Sequence, residues 1–521
     1  MIRSFFNRGK LREKIVVQGT SQNTENNFTF KVSKTLQTNI DNLNNMLDKP
    51  DDLKLRELQL GEANIKCAIA HMEGIVDAKT IQLSILKSLE NTKKLPTEAQ
   101  ELFNFIYNKL ISVNDVQKGK SLDEISLPLL SGHTILYIDG VDTALMIDTI
   151  GGEMRSIEEP VTETLIRGPR EGFVENLQTN LALIRRNIKD PNLRFKTYKT
   201  GRRSKKNLVV TYVDGIVDPD LVKEVDRRLK TIDMDIVQES GYIEAWIEDS
   251  YLSPFPQLLN TERPDKVIGA IMQGKVGILL EGTPFVLIAP VNFSNILQSA
   301  EDYYERWTIG SLLRILRYFG AFISIFLPAL YISLVSVQPD MLPSMLAFSI
   351  AGTREGVPFP PVLEALMMII TMELLQEAGA RLPQTIGQTV GIVGGLVIGE
   401  AAVQAGIVSP IMVIVVALTA IANFAVPSYS TAISFRIIRF GFMLAAGAFG
   451  LYGVILVYIM VNIHFVNLKS FGVPYSTPFA PFFSRDWNDV IIRSPIQAIK
   501  KRPEYLTADD ETSLDNQGES Q

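Results

Sequence analysis

The stretch Tyr318-Phe-Gly-Ala-Phe-Ile-Ser-Ile-Phe-Leu-Pro-Ala-Leu-Tyr-Ile-Ser-Leu-Val-Ser-Val337 carries no charged residue over twenty positions. At the ~1.5 Å rise of an α-helix, that length matches the roughly 30 Å hydrocarbon thickness of a bilayer. Upstream of Arg317 the sequence has the mixed polarity of a soluble protein, whereas no lysine occurs between Lys275 and Lys469. The chain therefore changes from a soluble region to a membrane region partway along its length.

Composition narrows the class of protein. With 51 basic and 57 acidic residues among 521, the net charge of -6 gives no case for a nucleic-acid partner. The single cysteine, Cys67, argues against a disulfide framework and indicates a reducing compartment. The basic, aromatic start at Met1 lacks the apolar segment of a cleavable signal peptide.

The sequence contains no motif of a catalytic or metal site. It has no phosphate-binding G-x-x-x-x-G-K-[ST] loop, no H-E-x-x-H zinc motif and no G-x-S-x-G nucleophile turn. Its three histidines are scattered, and acidic pairs such as Glu248-Asp249 are typical of solvated surface. We therefore expect no enzyme activity, no metal and no cofactor.

The soluble region contains an internal duplication. Ile65-Lys-Cys-Ala-Ile-Ala-His-Met-Glu-Gly-Ile-Val-Asp77 resembles Asn207-Leu-Val-Val-Thr-Tyr-Val-Asp-Gly-Ile-Val-Asp218, each an apolar strand, a turn and an aspartate placed to cap a helix. Gly132-His-Thr-Ile-Leu-Tyr-Ile-Asp-Gly140 likewise resembles Gly274-Lys-Val-Gly-Ile-Leu-Leu-Glu-Gly282, and both read as hairpins. The two pairs are offset by 141 and 142 residues, which predicts two subdomains of one plan.

These patterns predict a duplicated α/β soluble N-terminal region followed by an α-helical polytopic membrane domain. The duplication has two open interpretations: it reflects ancestry and folding only, or a cleft between the halves acts as a sensing or coupling surface. The polar ends of the chain read as mobile, the tail being disordered from Ala508. The expected divisions are a mobile arm over 1–49, α/β subdomains over 50–160 and 161–300, a transmembrane domain over 301–466, and a cytoplasmic C-terminal tail over 467–521.

A basic segment joins the two subdomains. It contains Arg167, Pro169, Arg170 and Glu171 and leads into an amphipathic helix over about 174–189. One interpretation is a solvated linker helix. The alternative is a contact surface for a partner subunit or for anionic lipid headgroups.

Five apolar segments follow, at about 318–337, 361–378, 386–404, 408–427 and 440–465. The second carries Glu364, Glu373 and Glu377, and a carboxylate at the centre of a bilayer costs several kcal/mol. We interpret this segment as a re-entrant or pore-side helix that faces a bundle interior or water. The alternative is a full span with its acids among the headgroups.

The third segment has a glycine at every fourth position, a pattern that lets helix backbones approach closely. The partner helix can come from the same chain or from another copy. Gln388 and Glu400 add polar atoms, so this span beside the carboxylate-bearing segment predicts a hydrated path. The glycines are Gly387, Gly391, Gly395 and Gly399.

Flanking charge predicts the orientation. Arg306, Arg314 and Arg317 precede the first span, and a cluster of lysines and arginines from Lys469 follows the last. The positive-inside rule places both ends in the cytoplasm, which requires an even number of crossings. Four spans plus one re-entrant segment satisfy that requirement, whereas five spans do not.

Several motifs together resemble the A subunit of the GerA-type spore germination receptors. The resemblance covers about residues 50 to 500, and the motifs occur in the same order. They are Arg167-Gly-Pro-Arg-Glu-Gly-Phe173, Ser253-Pro-Phe-Pro-Gln257, Glu301-Asp-Tyr-Tyr-Glu-Arg-Trp307, Pro358-Phe-Pro-Pro-Val-Leu-Glu-Ala365 and Glu377-Ala-Gly-Ala-Arg-Leu-Pro-Gln384.

The resemblance implies a receptor in the inner membrane of a dormant endospore, and the flanking charge places its N-terminal domain in the cytoplasm. It implies a transporter-like B subunit and a lipoprotein C subunit as partners, with the germinant held by the B subunit. It further implies that small nutrients such as amino acids, sugars or nucleosides trigger the receptor, and that monovalent cations leave the spore core early.

Two mechanisms are compatible with these features. In the first, the chain forms an oligomeric, ligand-gated cation channel whose ion path is lined by Glu364, Glu373, Glu377, Glu400 and Gln388. In the second, it is a non-conducting scaffold that relays germinant binding, and the carboxylates of the helical region only pair with Arg354, Arg381 or partner groups. Under either mechanism, the expected interdomain or partner contacts are Arg167, Pro169, Arg170 and Glu171.

Overall fold

A computed structural model describes residues 31–60, 64–92, 95–111, 113, 115–151, 159–160, 162–381, 395 and 397–513. The chain forms two compact units, Met1–Gly152 and Glu153–Gln521. The first contains one α/β subdomain. The second contains the other α/β subdomain, the helical region and the C-terminal segment.

A five-stranded antiparallel sheet forms the centre of the first unit. Its strands are β1 (Leu53–Leu60), β2 (Ile65–Met72), β3 (Val116–Gly119), β4 (His133–Ile138) and β5 (Ala144–Asp148). Their order in the sheet is β1-β2-β4-β5-β3. The β4–β5 hairpin turns at Asp139-Gly140, where Gly140 has a φ of +89°, as the Asp-Gly signal predicts.

Helices cover this sheet through an apolar core that includes Cys67, Ile69 and Leu136. The predicted cap is confirmed, because the Asp77 carboxylate accepts a hydrogen bond from the backbone N–H of Lys79 at 3.0 Å. The helices are Leu36–Leu47, Ala78–Thr80 continuing through Ile81–Leu86 and Lys87–Asn91, Ala99–Phe105 continuing through Ile106–Leu110, and Leu122–Leu130.

The end of the expected mobile arm differs from the prediction. Helix Leu36–Leu47 lies within 1–49 and buries Leu43 and Leu47. The carboxylate of Asp139, in the β4–β5 turn, accepts from the backbone N–H of Leu36 at 2.8 Å. The arm is polar on average, but its apolar residues are regularly spaced and form one helix face that packs on the subdomain.

The α/β subdomain of the second unit has the same plan as that of the first. Its strands are β6 (Leu193–Thr200), β7 (Lys206–Val213), β8 (Leu259–Thr261), β9 (Val276–Leu280) and β10 (Val286–Ala289). Their order, β6-β7-β9-β10-β8, matches the first sheet strand for strand. The Asp218 carboxylate caps the following helix by accepting from the N–H of Asp220 at 2.9 Å. The duplicated α/β plan is confirmed.

The helix predicted to follow the basic segment is present, and its buried apolar residues include Leu181 and Ile184. It begins where the Asn176 side chain accepts from the N–H groups of Gln178 and Thr179. The helices of this subdomain are Leu177–Asn187, Pro219–Leu229, Ser240–Ile247, Pro264–Met272, Phe293–Leu297 and Glu301–Tyr304.

The helical region follows. Among the described residues, Trp307–Val337 and Tyr429–Asn467 are long and apolar enough to cross a membrane, and Pro410–Phe424 is a shorter apolar helix. We call Trp307–Ile332 with its continuation Ser333–Val337 the first long helix. The other helices are Pro339–Met341, Ser344–Arg354, Pro361–Arg381, which we call the carboxylate helix, and a segment over 397–404.

The stretch Tyr429–Asn467 reverses direction at Gly450, whose φ of 61° and ψ of -143° are not helical. The hydroxyl of Ser434 donates to the carbonyl of Pro254, and the hydroxyl of Ser253 lies 2.9 Å from Nε2 of His464. A straight helix would separate residues 434 and 464 by about 45 Å. The stretch is therefore two antiparallel helices, which we call the terminal hairpin.

The single apolar segment expected over 440–465 is consequently wrong, since both arms of the hairpin are apolar and only Gly450 marks the turn. The turn packs on the end of the first long helix. The side-chain oxygen of Gln338 accepts from the N–H of Leu451 at 3.0 Å and satisfies a backbone group that the turn frees.

Gly450→Ala is expected to destabilise the protein by about 1–3 kcal/mol, because only glycine adopts this backbone conformation readily. A Cβ at position 450 would also lie 2.8 Å from Cγ1 of Val337. Thermal unfolding of the purified chain in detergent measures the effect. Gly441→Ala is the control, since it lies in the same hairpin with no atom near its added Cβ. Equal unfolding midpoints would contradict the turn.

The C-terminal segment, residues 467–513, folds onto the second α/β subdomain. It pairs β11 (Lys469–Ser470) with β12 (Val473–Pro474), and includes short helices at Asp486–Asn488, Ile496–Ala498 and Glu504–Leu506. Residues 508–513, which belong to the tail expected to be disordered from Ala508, are ordered. Buried Arg502 explains this order, because its guanidinium donates to the carbonyls of Met272 and Asp510.

Candidate functional site

Glu364 lies in the first turn of the carboxylate helix and is fully buried. Its Oε1 accepts from the backbone N–H of Ser409 at 2.5 Å and from the Ser409 hydroxyl at 2.6 Å. Its Oε2 lies 3.5 Å from Nη2 of Arg354. Ser409 is the N-cap of Pro410–Phe424, so the carboxylate holds the start of one helix against another. In this arrangement the Glu364 side chain faces protein.

Glu373 lies farther along the same helix and faces two arginines of the terminal hairpin. Its carboxylate oxygens lie 3.1 Å from Arg436 and 3.5 Å from Arg439. Buried Arg439 also donates to the carbonyl of Ser324 at 2.6 Å and to Oδ1 of Asn423 at 3.4 Å. This arginine therefore joins four helices, and Glu373 is the acid that neutralises it.

Glu377 and Glu400 have the opposite setting, since both are exposed on the outside of this chain. An exposed apolar residue lies three positions before each of them: Leu374 is 66% exposed and Val397 is 55% exposed. The Glu400 carboxylate accepts from the side-chain amide of Gln404 at 3.1 Å. Although Glu373 and Glu377 are one turn apart, the structure places them in different environments.

The glycine stripe is described only in part. Gly387, Gly391 and Gln388 lie outside the described residues. A Cβ on Gly399 would lie 3.4 Å from Cγ1 of Val413, whereas no atom lies within 4 Å of such a Cβ on Gly395. Gly399 therefore packs against a helix of the same chain.

The segment expected to contact a partner is exposed at Arg167, Pro169, Arg170 and Glu171. A hydrogen bond fixes the backbone of this segment, because buried Arg263 donates to the carbonyl of Pro169 at 2.9 Å. The outer side chains thus project from a fixed loop. A fixed loop with exposed charges loses little conformational entropy on contact with a partner.

The largest group of buried charges was not predicted from sequence. The carboxylate of fully buried Asp302 accepts from Nε of Arg314 at 2.9 Å and from Nη1 of Arg317 at 2.6 Å. Nη1 of Arg314 reaches Oδ1 of Asp489 at 2.7 Å. Arg493 donates to the carbonyls of Asp302 and Glu305. We call Asp302, Arg314, Arg317, Asp489 and Arg493 the charge cluster.

The charge cluster connects three parts of the second unit: the α/β subdomain, the first long helix and the C-terminal segment. Tyr303 closes one side, donating from its hydroxyl to Oδ2 of Asp489 at 2.6 Å. Burial and the neighbouring Asp489 carboxylate raise the pKa of Tyr303 above its ordinary value, so this hydroxyl stays protonated. In the sequence, Arg314 and Arg317 indicate only the topology, and the nearby Asp302 is the one signal that they form a buried ion pair.

Within the described part of the chain, no group of three or more His, Cys, Asp and Glu side chains could hold a metal ion. The four glutamates of the predicted ion path thus differ in burial. Glu364 and Glu373 face arginines inside the protein and position helices. Glu377 and Glu400 are exposed on the outside of this chain.

Comparison with known proteins gives a family match over most of the chain. The profile of the family described as Bacillus/Clostridium GerA spore germination protein matches residues 41–505. The chain is 49% identical over 466 residues to spore germination protein GerLA of Bacillus cereus, covering 89% of this chain and 94% of the relative. It is 45% identical over 480 residues to spore germination protein KA of Bacillus subtilis (strain 168), covering 92% and 88%.

One solved structure is also similar, that of the N-terminal domain of the A subunit of the Bacillus megaterium spore germinant receptor GerK3. It is 32% identical in sequence and covers 51% of this chain and 98% of its own chain, with a TM-score of 0.40.

Proposed function

The chain belongs to the Bacillus/Clostridium GerA spore germination protein family, and from this membership we propose that it is the A subunit of a nutrient germinant receptor in the inner membrane of an endospore. Its partners are then a transporter-like B subunit and a lipoprotein C subunit. The fixed, exposed loop with Arg167, Pro169, Arg170 and Glu171 is the proposed contact surface for a partner.

We propose that the helical region crosses the bilayer as a multi-pass domain, with the α/β subdomains and the C-terminal segment on the cytoplasmic side. The outward apolar residues of the first long helix and the terminal hairpin support this placement, among them Phe319, Leu444 and Tyr452. Both ends of the hairpin contact the loop at Ser253 and Pro254, which fits chain ends on one side and an even number of crossings.

Within that domain, the proposed activity is oligomeric, ligand-gated conduction of monovalent cations. The observation that carries this proposal is the outward placement of Glu377 and Glu400 on an apolar surface. An ionised carboxylate against lipid costs about 2.5–3.5 kcal/mol, so a water-filled path or a neighbouring subunit is the favourable environment for both. A ring of such carboxylates from several copies attracts cations.

The proposed ion path therefore contains Glu377 and Glu400, with Gln388 remaining a candidate outside the described residues. Glu364 and Glu373 act instead as internal pairs that position the helices. Germinant binding to the B subunit would open the path only if that complex favours the open arrangement energetically.

A second function, a non-conducting scaffold, is favoured by a different observation. The charge cluster ties the first long helix to the α/β subdomain and the C-terminal segment, so a displacement of the helix moves the soluble surface directly. A scaffold needs that connection and no ion path.

Glu377→Gln and Glu400→Gln are each expected to slow early potassium release from germinating spores by roughly tenfold. At an effective dielectric constant of ~20, a carboxylate ~8 Å from a cation stabilises it by ~2 kcal/mol, and glutamine removes that attraction. Release is measured by flame photometry after addition of mixed amino acids, sugars and nucleosides.

Glu57→Gln, an exposed substitution on β1, is the matched control. Immunoblots of the spore membrane establish that all variants are present at equal levels. Normal release from spores carrying both pore substitutions would remove the ion-path assignment and favour the scaffold.

A further inference from the structure

A cavity of about 230 Å³ lies in the second α/β subdomain, between helix Pro264–Met272 and the short helix Glu301–Tyr304. That volume is enough for several ordered water molecules. It is sized for a small solute, not for a peptide or a nucleotide. Its walls include Lys275, Gln273, Asn295, Ser299 and Tyr303.

Lys275 is the one lining residue whose charge is not matched in the described part of the chain. It is 4% exposed, and its Nζ donates to Oδ1 of Asn295 at 2.6 Å. The same oxygen also accepts from the N–H of Asn292 and, at 3.4 Å, from the hydroxyl of Tyr505. No carboxylate of the described residues forms an ion pair with Lys275. The Lys275 ammonium, which has three N–H donors, thus has one acceptor, and that oxygen also accepts from Asn292 and Tyr505.

The other charged groups around the cavity are already neutralised. Asp265 is paired with Arg263 at 2.8 Å, and Lys266 with Glu163 at 3.2 Å. The hydroxyl of Tyr304 donates to Asp265. The remaining titratable groups facing the cavity or Asn295 are therefore the phenols of Tyr303 and Tyr505, which carry no negative charge near neutral pH.

Further donors are available beside Lys275. The side-chain amide of Gln273 and the hydroxyl of Ser299 line the cavity, and neither has a hydrogen bond within the part of the chain that the structure describes. Both residues are only half-buried, so the mouth of the cavity reaches solvent. One cation and two neutral donors around a water-accessible space form the environment that an oxyanion requires.

We propose that this cavity binds a small oxyanion, the carboxylate or phosphate group of a small solute, with Lys275 as its counter-charge. The site is separate from the ion path and lies beside the charge cluster. Tyr303 lines the cavity and donates to Asp489, and the N–H of Ser299 donates to Asp302. An occupant would therefore touch residues that are hydrogen-bonded to the charge cluster.

The protonation of Lys275 gives the site a measurable signature. Burial and the neighbouring Lys266 ammonium lower the pKa of Lys275 from 10.5 to about 7. The Lys275 amine of the free site is then largely neutral at pH 8. Binding of an anion raises the pKa of Lys275, so that Lys275 takes up close to one proton. The apparent affinity should fall by up to about tenfold per pH unit above pH 7.

Isothermal titration calorimetry of the purified full chain tests the proposal, with acetate and inorganic phosphate as probes. Titrations at pH 8 in buffers of different ionisation enthalpy measure the protons taken up. We expect saturable binding of at least one probe, with nearly one proton taken up at pH 8 and markedly less at pH 6. The probe that binds more tightly identifies the preferred oxyanion.

Lys275→Met is expected to weaken binding at least tenfold and to abolish proton uptake. The substitution keeps the shape of the stem and removes a buried charge, so folding is preserved, and thermal unfolding verifies this. Gln273→Ala should weaken binding by roughly threefold. Lys223→Met, on an exposed helix face, is the control. Absence of saturable binding at pH 6, or binding unchanged in Lys275→Met, would overturn the proposal.

Discussion

Arg314→Ala is expected to destabilise the receptor by about 3–5 kcal/mol, because it leaves the buried carboxylate of Asp302 without one of its counter-charges and removes the partner of Asp489. Total stability of a folded protein is only about 5–15 kcal/mol, so the variant should be scarce in the membrane fraction. Spores that carry it should respond weakly to any germinant. Quantitative immunoblotting and thermal unfolding in detergent measure the two effects.

Arg306→Ala is the matched control, an exposed arginine close to the start of the same helix. Arg314→Lys should recover part of the loss, since an ammonium keeps the charge but cannot reach Asp302 and Asp489 in the fixed geometry of a guanidinium. In a double-mutant cycle, Arg314→Ala and Asp302→Ala together should cost less than the sum of the two single changes. Strict additivity, or a stable Arg314→Ala variant, would show that the charge cluster does not hold the first long helix.

Glu364→Ala is the second substitution with a large expected effect, about 3–5 kcal/mol of lost stability. It removes the acceptor of two buried donors on Ser409 and the counter-charge of Arg354, and hydrogen bonds to a charged group contribute ~1.5–3 kcal/mol each. Glu364→Gln should be milder, because an amide oxygen still accepts from Ser409. Thermal unfolding of the purified chain measures both variants.

Glu400→Ala is the control for this prediction, since it removes an exposed carboxylate from the same helical region. The two substitutions should have different effects: a change at position 364 lowers the unfolding midpoint, and a change at position 400 lowers cation flux at constant stability. The reverse pattern would place Glu364 on the ion path and contradict its assignment as an internal pair.

The parts of the fold that were predicted from sequence rest on local signals. Asp77 and Asp218 cap helices because each directly precedes one, and Asp139-Gly140 marks a hairpin because it lies between two apolar runs. The duplication was visible because two such local patterns recur at nearly one offset. Short-range rules are sufficient for features of this kind.

The features that escaped prediction depend on contacts between residues distant in sequence. The acceptor for Ser409 is Glu364, which lies 45 positions earlier, and Arg314 reaches Asp489 across 175 positions. The turn at Gly450 lies between two apolar helices, so hydropathy alone reads one continuous segment. A carboxylate in an apolar helix can mark an ion path or an internal pair, and only its three-dimensional neighbours distinguish the two.

The measurement that tests the central claim most directly is cation flux through the purified chain in liposomes, alone and with the proposed B and C partners, with and without candidate germinants. We expect germinant-dependent flux of monovalent cations that falls by roughly tenfold or more when Glu377 and Glu400 are both changed to glutamine, with Glu57→Gln unaffected. An intact complex that passes no cations under any of these conditions would contradict the channel and leave the chain as a scaffold.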